Sequence, residues 1–101
     1  MLTQFIRDEN NVPFGVIVAI QDDDGYIRYG VSLQSPKDHW DRDLGRKIAI
    51  GRAYTDVMLP EVPQKKERLV LHSLNEMMKR ARRYFKDAKH VNPYMLALGN
   101  D

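Results

Sequence analysis

Arginine is the commonest charged side chain in the parts of this sequence that look built for chemistry. Arg42 and Arg46 stand four residues apart and so share one face of a helix. Arg52 follows near that helix's far end, and Arg28 lies just upstream in an extended stretch. A second group is denser: the segment from Lys79 to Lys89 carries six Lys or Arg in eleven residues, ending beside His90. A guanidinium presents a planar fork of donors that matches phosphate bidentately, and interleaved Trp40, Tyr84 and Phe85 offer faces on which a base can stack. The candidate ligand-binding residues are therefore Arg28, Trp40, Arg42, Arg46, Arg52, Arg82 and Arg83. In this reading Arg28 and Arg46 grip a phosphate beside Trp40. Arg82 and Arg83 reach in from a second helix of the same or a neighbouring subunit. The competing reading is a solvated helix face whose Lys and Arg stems shield apolar surface, with Tyr84 and Phe85 in the core.

Other constellations are weaker. The run Asp22-Asp23-Asp24 lacks the twelve-residue ligand spacing and terminal glutamate of a calcium loop, so it reads as a solvated hairpin turn. His39, His72 and His90 never stand at the spacing of two ligands on one helical face, which argues against a metal site. Ser32, Ser35 and Ser73 have no nucleophile-elbow context, and no glycine-rich phosphate loop follows a strand. The expectation is a protein that binds without catalysis and needs no cofactor.

Charge sharpens that expectation. The net charge is only +2, yet residues 1–40 hold three basic side chains against six acidic ones, and the remainder holds thirteen against eight. A folded chain with this asymmetry can present a basic face while its total stays small, which suits an anionic partner. With 101 residues the chain suits one domain with a limited core, and a homo-oligomer would enlarge that core. The absence of cysteine excludes disulfides, thiolate metal sites and a cysteine nucleophile, and fits a cytoplasmic setting. The longest apolar run, Val16 to Ile20, is five residues, so neither a membrane span nor a secretory signal is expected.

The elements that must position these residues follow from periodicity. Three β-rich stretches, Leu2 to Arg7, Phe14 to Gln21 and Tyr26 to Gln34, are separated by Asn10-Asn11-Val12-Pro13 and Asp22-Asp23-Asp24-Gly25. They predict an antiparallel meander. Its middle strand, apolar almost throughout, should be covered on both faces, and its third strand should keep a polar face of Arg28, Gly30, Ser32 and Gln34. A first helix is expected from Pro36 to about Thr55, with an apolar stripe of Trp40, Leu44 and Ile48. Its small residues Gly45, Ala49 and Ala53 line up to admit another backbone closely. A second helix should run from Gln64 to about Ala88 on the stripe Val70, Leu74, Met77, Ala81, Tyr84, Ala88. At roughly 37 Å it looks too long for one other helix to cover, a further reason to expect a second subunit. The apolar tail from Tyr94 to Leu98 could add an edge strand or close an interface. The fold class is α+β: a three-stranded antiparallel meander followed by two long α-helices.

The stretch Gly30 to Trp40, followed by Leu44 to Ala53, resembles a pattern met in small phage-encoded proteins. The layout over residues 14–88 is similar to the Thoeris anti-defence 1 family, oligomeric phage proteins that sequester nucleotide signals. That resemblance implies a phage-type anti-defence protein that sequesters a phosphate-bearing nucleotide signal in the host cytoplasm. None of that family's ligand-binding residues is matched here, so the site residues rest on charge and spacing alone. Two alternatives stay open: inhibition of a host nuclease or defence complex by protein contact, and sequence-independent nucleic-acid binding.

Overall fold

A computed structural model describes residues 1–34, 39–55 and 61–90. The three expected strands form: β1 (Leu2–Arg7), β2 (Pro13–Gln21) and β3 (Ile27–Leu33), antiparallel in the order β1-β2-β3. The first turn is held by the Asp8 carboxylate, which accepts the backbone N–H groups of Asn10 and Val12 at 2.9 Å each while Asn11 takes φ 64°. In the second, Asp22 accepts from the N–H of Asp24 and of Tyr26, and Gly25 supplies φ 87°, a conformation that costs a residue without Cβ little.

Two helices follow, α1 (Arg42–Tyr54) and α2 (Gln64–Tyr84). They cover opposite faces of the sheet. Val16, Val18 and Ile20 pack with Ala49 and Ala53 of α1, whereas Ile17, Ala19, Ile27, Tyr29 and Val31 pack with Val70, Leu74, Met77 and Ala81 of α2. Every residue from Phe14 to Ile20 is buried, as the expectation of a doubly covered central strand requires.

Several boundaries and faces differ from expectation. Described helix α1 starts at Arg42, capped by Asp41, whose carboxylate accepts the Leu44 N–H at 3.1 Å. The Ser35-Pro36-Lys37-Asp38 start lies outside the described residues. The buried stripe of α1 is Gly45, Ala49 and Ala53, while Leu44 (54% exposed) and Ile48 (39%) face solvent. The reason lies in β3, whose Gly30 and Ser32 are buried beneath the helix rather than forming a wet face. At Gly30 a Cβ would collide with the Ala49 carbonyl oxygen and lie 2.7 Å from the Ala53 nitrogen. Only small side chains let the helix axis come that near, so Leu44 and Ile48 turn outward, while Trp40, just before the helix, packs against the core.

Helix α2 ends at Tyr84, earlier than Ala88. The Phe85 N–H closes it on the Ala81 carbonyl. The chain then turns back to β3, where the Lys89 N–H donates to Gly25 and the Lys89 carbonyl accepts from Ile27. That bridge draws Phe85 and Ala88 against the core and leaves Tyr84 63% exposed. Helix α2 is also covered by its own chain, with Val70, Leu74, Met77 and Ala81 at 0–1% exposure against the sheet, so its length supplies no argument for a second subunit. The tail expected as an edge strand, Tyr94 to Leu98, lies outside the described residues.

The close approach at Gly30 generates a paired prediction. Gly30→Ala should lower stability by about 1–3 kcal/mol through overpacking against backbone that has no room to yield. At Gly51, an α1 position where a Cβ meets nothing within 4 Å, Gly→Ala should instead add about 0.5–1 kcal/mol by helix propensity. Urea unfolding midpoints moving in these opposite directions confirm the helix-on-glycine contact; equal shifts contradict it.

Candidate functional site

The sheet divides the expected site residues into two groups. Arg28 belongs to the α1 side, because alternation along β3 places it on the same face as Gly30 and Ser32. Trp40, Arg42, Arg46 and Arg52 accompany it there. Arg82 and Arg83 lie on α2, across the sheet. Among the described residues, the sheet thus stands between the two groups.

The α1-side residues are largely engaged in structure. Arg28 Nε donates to Asp22 Oδ2 at 2.7 Å, tying the start of β3 to the turn before it. That bond holds the Asp22 carboxyl below its ordinary value; desolvation opposes it, and the backbone donors at Tyr26 and Asp24 add lesser lowering effects. Arg52 donates to the Val31 carbonyl at 2.6 Å. Register shows what that bond does: Gln34 donates inward to Phe14 and Ile27 outward to Lys89, so the odd residues of β3 turn their backbone groups to the open edge. Arg52 thus caps an edge carbonyl with one arm of its guanidinium. Arg42 lies 5.0 Å above the Phe5 ring, and Trp40 meets the same ring edge-on at 6.2 Å. Arg46 is exposed. Arg28 lies in register beyond Gly30 toward the C-terminal end of α1, and Arg46 sits in the helix's first half, so these two do not grip one phosphate. The cleft beside Trp40 holds about 90 Å³ and is lined by Ser32, Leu33, Gln34, His39, Trp40, Asp41, Leu44, Gly45 and Ile48, without a Lys or Arg among them.

The other side is different. On α2 the exposed residues Lys65, Arg68, His72, Asn75, Lys79, Arg82 and Arg83 recur every three or four positions, opposite the buried stripe. Lys79 pairs loosely with Glu76 at 3.7 Å, and among the described residues Lys65, Arg68, Arg82 and Arg83 make no ion pair. Glu61 and Asp87 flank the stripe along the chain, and Glu67 and Glu76 lie on α2 itself. Inside the sheet, burial raises the Tyr29 phenol above its usual value, and the positive charge of Arg82 partly offsets that rise. The cationic stripe spans about 27 Å from Lys65 to Arg83 at helical rise.

At its C-terminal end the stripe meets an aromatic corner. Tyr84 stands exposed, its ring set edge-on against Phe85 at a centroid distance of 4.8 Å and 81°. Leu2, Arg80, Arg83 and Tyr84 line an open depression of about 330 Å³ there. Arg80 leans across to the β1 edge, donating to the Thr3 carbonyl at 3.4 Å and to Gln4 Oε1 at 3.2 Å. Heptad counting assigns Tyr84 to the core; the usable signal was its position beside the helix terminus, where chain reversal at Phe85 frees the last turn. Among the described residues no cluster of three His, Asp or Glu that could hold a metal ion exists, and no helix is long and apolar enough to cross a membrane.

Comparison of the chain with protein-family models, with characterised proteins and with solved structures finds no match.

The Asp22–Arg28 pair carries a pH dependence whose sign is fixed. A carboxyl held below its unfolded value stabilises the fold above that value, and the contribution is lost as pH falls through the folded one. Thermal melts of the parent between neutral pH and the acid range should therefore drop more steeply than those of Asp22→Asn. Parallel curves would show that the pair does not contribute.

Proposed function

We propose that this protein is a non-enzymatic binding protein that takes a phosphate-bearing nucleotide ligand on the outer face of α2. The observation that carries the reading is the run of exposed cations from Lys65 to Arg83, which have no ion-pair partners among the described residues apart from Lys79. Arginine at such a surface binds phosphate through charge-assisted, forked hydrogen bonds. The open shape of the face favours a ligand with several phosphates in a row over an enclosed small molecule.

The sequestering of a single nucleotide signal, the use implied by the resemblance to phage anti-defence proteins, employs the same chemistry with fewer phosphates. It would require Arg82 and Arg83 to meet the α1-side residues Trp40, Arg42 and Arg46 of a neighbouring copy, because the sheet separates the two groups within one chain. That reading therefore stands or falls with a homo-oligomer, which light scattering reports. A second reading, inhibition of another protein by contact, is favoured by Leu44 and Ile48, which leave an apolar strip of α1 in water beside the Trp40 cleft.

Salt dependence separates one phosphate from many. If four or five α2 cations each displace a counterion from a single strand, log Kd should change with log salt with a slope near 3 in magnitude, roughly 0.7 per contact. Arg82→Ala and Arg83→Ala should each reduce that slope by about 0.7, whereas Arg46→Ala should leave it unchanged. A slope near zero in the parent, or equal effects of all three substitutions, overturns the assignment to α2.

A further inference from the structure

We infer that the ligand of the α2 face is single-stranded nucleic acid, with one unpaired base stacked on Tyr84. The inference rests on the phosphate-binding reading above and adds to it the class of ligand. Its basis is the corner where the cationic stripe ends. Tyr84 is a large ring left in water at the last turn of a helix whose other large apolar residues are buried or half-buried. Its ring stands edge-on to Phe85, which is itself packed against the core where the chain returns to β3 at Lys89, so Tyr84 rests against an anchored side chain. Arg80 is tied to the β1 edge on one flank, and exposed Arg83 stands on the other, where the phosphate stripe arrives. A base lying on Tyr84 would thus have its own phosphate within reach of Arg83 and the next along the stripe toward Lys79.

Every base has a π-face, so stacking of this kind tolerates any sequence, but it needs a base that is not already stacked between neighbours. A duplex offers its phosphates to the stripe and nothing to Tyr84. An anionic membrane is the other polyanion such a helix could meet. A helix that lies on a membrane inserts its apolar face, and the apolar face of α2 is spent on the sheet.

The test uses the full chain and fluorescence anisotropy with three probes of equal phosphate number: oligothymidine, an abasic strand with the same backbone, and a duplex. The parent should bind oligothymidine at least several-fold tighter than the abasic strand or the duplex. Tyr84→Ala should weaken oligothymidine binding about ten-fold and bring it level with the abasic strand, while Tyr84→Phe keeps most of the affinity. Arg83→Ala should weaken all three probes together. If the parent binds oligothymidine and the abasic strand equally, or Tyr84→Ala changes neither, stacking is refuted while phosphate binding survives. If no probe binds at low salt, the phosphate-binding reading itself fails. Binding to vesicles rich in anionic lipid in preference to all three probes would assign the stripe to membranes instead. Circular dichroism of each variant, matching the parent, excludes unfolding as the cause.

Discussion

Seven successive residues of β2, Phe14 through Ile20, must be kept from water on two faces at once, and the described chain has two helices with which to do it. That constraint spends one helix on each face. It fixes the middle strand at the centre, sets the layer order helix, sheet, helix, and divides the basic residues of the two described helices between opposite sides of the sheet. The asymmetry of the faces then decides how each helix sits. β3 offers Gly30 and Ser32 to one of them, so α1 comes down on its own small residues and turns Leu44 and Ile48 outward. The opposite face offers Ile17, Tyr29 and Val31, and α2 meets it with Leu74, Met77 and Ala81 in conventional side-chain packing.

The arginines follow from this arrangement. A three-stranded sheet has two open edges, each with carbonyls that point away from the neighbouring strand. One arginine from each helix reaches such a carbonyl, Arg52 at Val31 on the β3 edge and Arg80 at Thr3 on the β1 edge. Arg28 is drawn to Asp22 in the turn, and Arg42 lies over Phe5. These four side chains contribute to the fold, whereas Arg46 and Lys47 on α1 and the longer run of cations on the outside of α2 stay exposed. Arginine content alone therefore overstates the size of a binding site in so small a chain.

Most of the architecture was legible in the residue order. The continuous apolar run of β2 announced a doubly covered strand, Asp22-Asp23-Asp24-Gly25 announced its turn, and the four-residue spacing of Gly45, Ala49 and Ala53 announced a close backbone approach. What misled was the rule that the larger apolar stripe is the buried one. For α1 the partner surface decides, and Gly30 is visible as a partner only once the strand and helix are docked. The candidate site was less legible. Spacing gathered Arg82 and Arg83 with Arg28 and Arg46, because a linear reading does not show that a sheet lies between. Tyr84 fits the heptad as well as Met77 does; only the chain reversal at Phe85, a tertiary event, takes it out of the core.

The proposed ligand surface lies on α2 and not on the α1 side of the sheet. Backbone amide chemical shifts of the isotope-labelled protein, followed by NMR as oligothymidine is added, test it most directly. Shifts should concentrate at the exposed positions from Lys65 to Arg83 and at Tyr84 and Phe85, with Trp40, Arg42 and Arg46 unmoved. Shifts concentrated around Trp40 and the first turns of α1, with α2 silent, would contradict it.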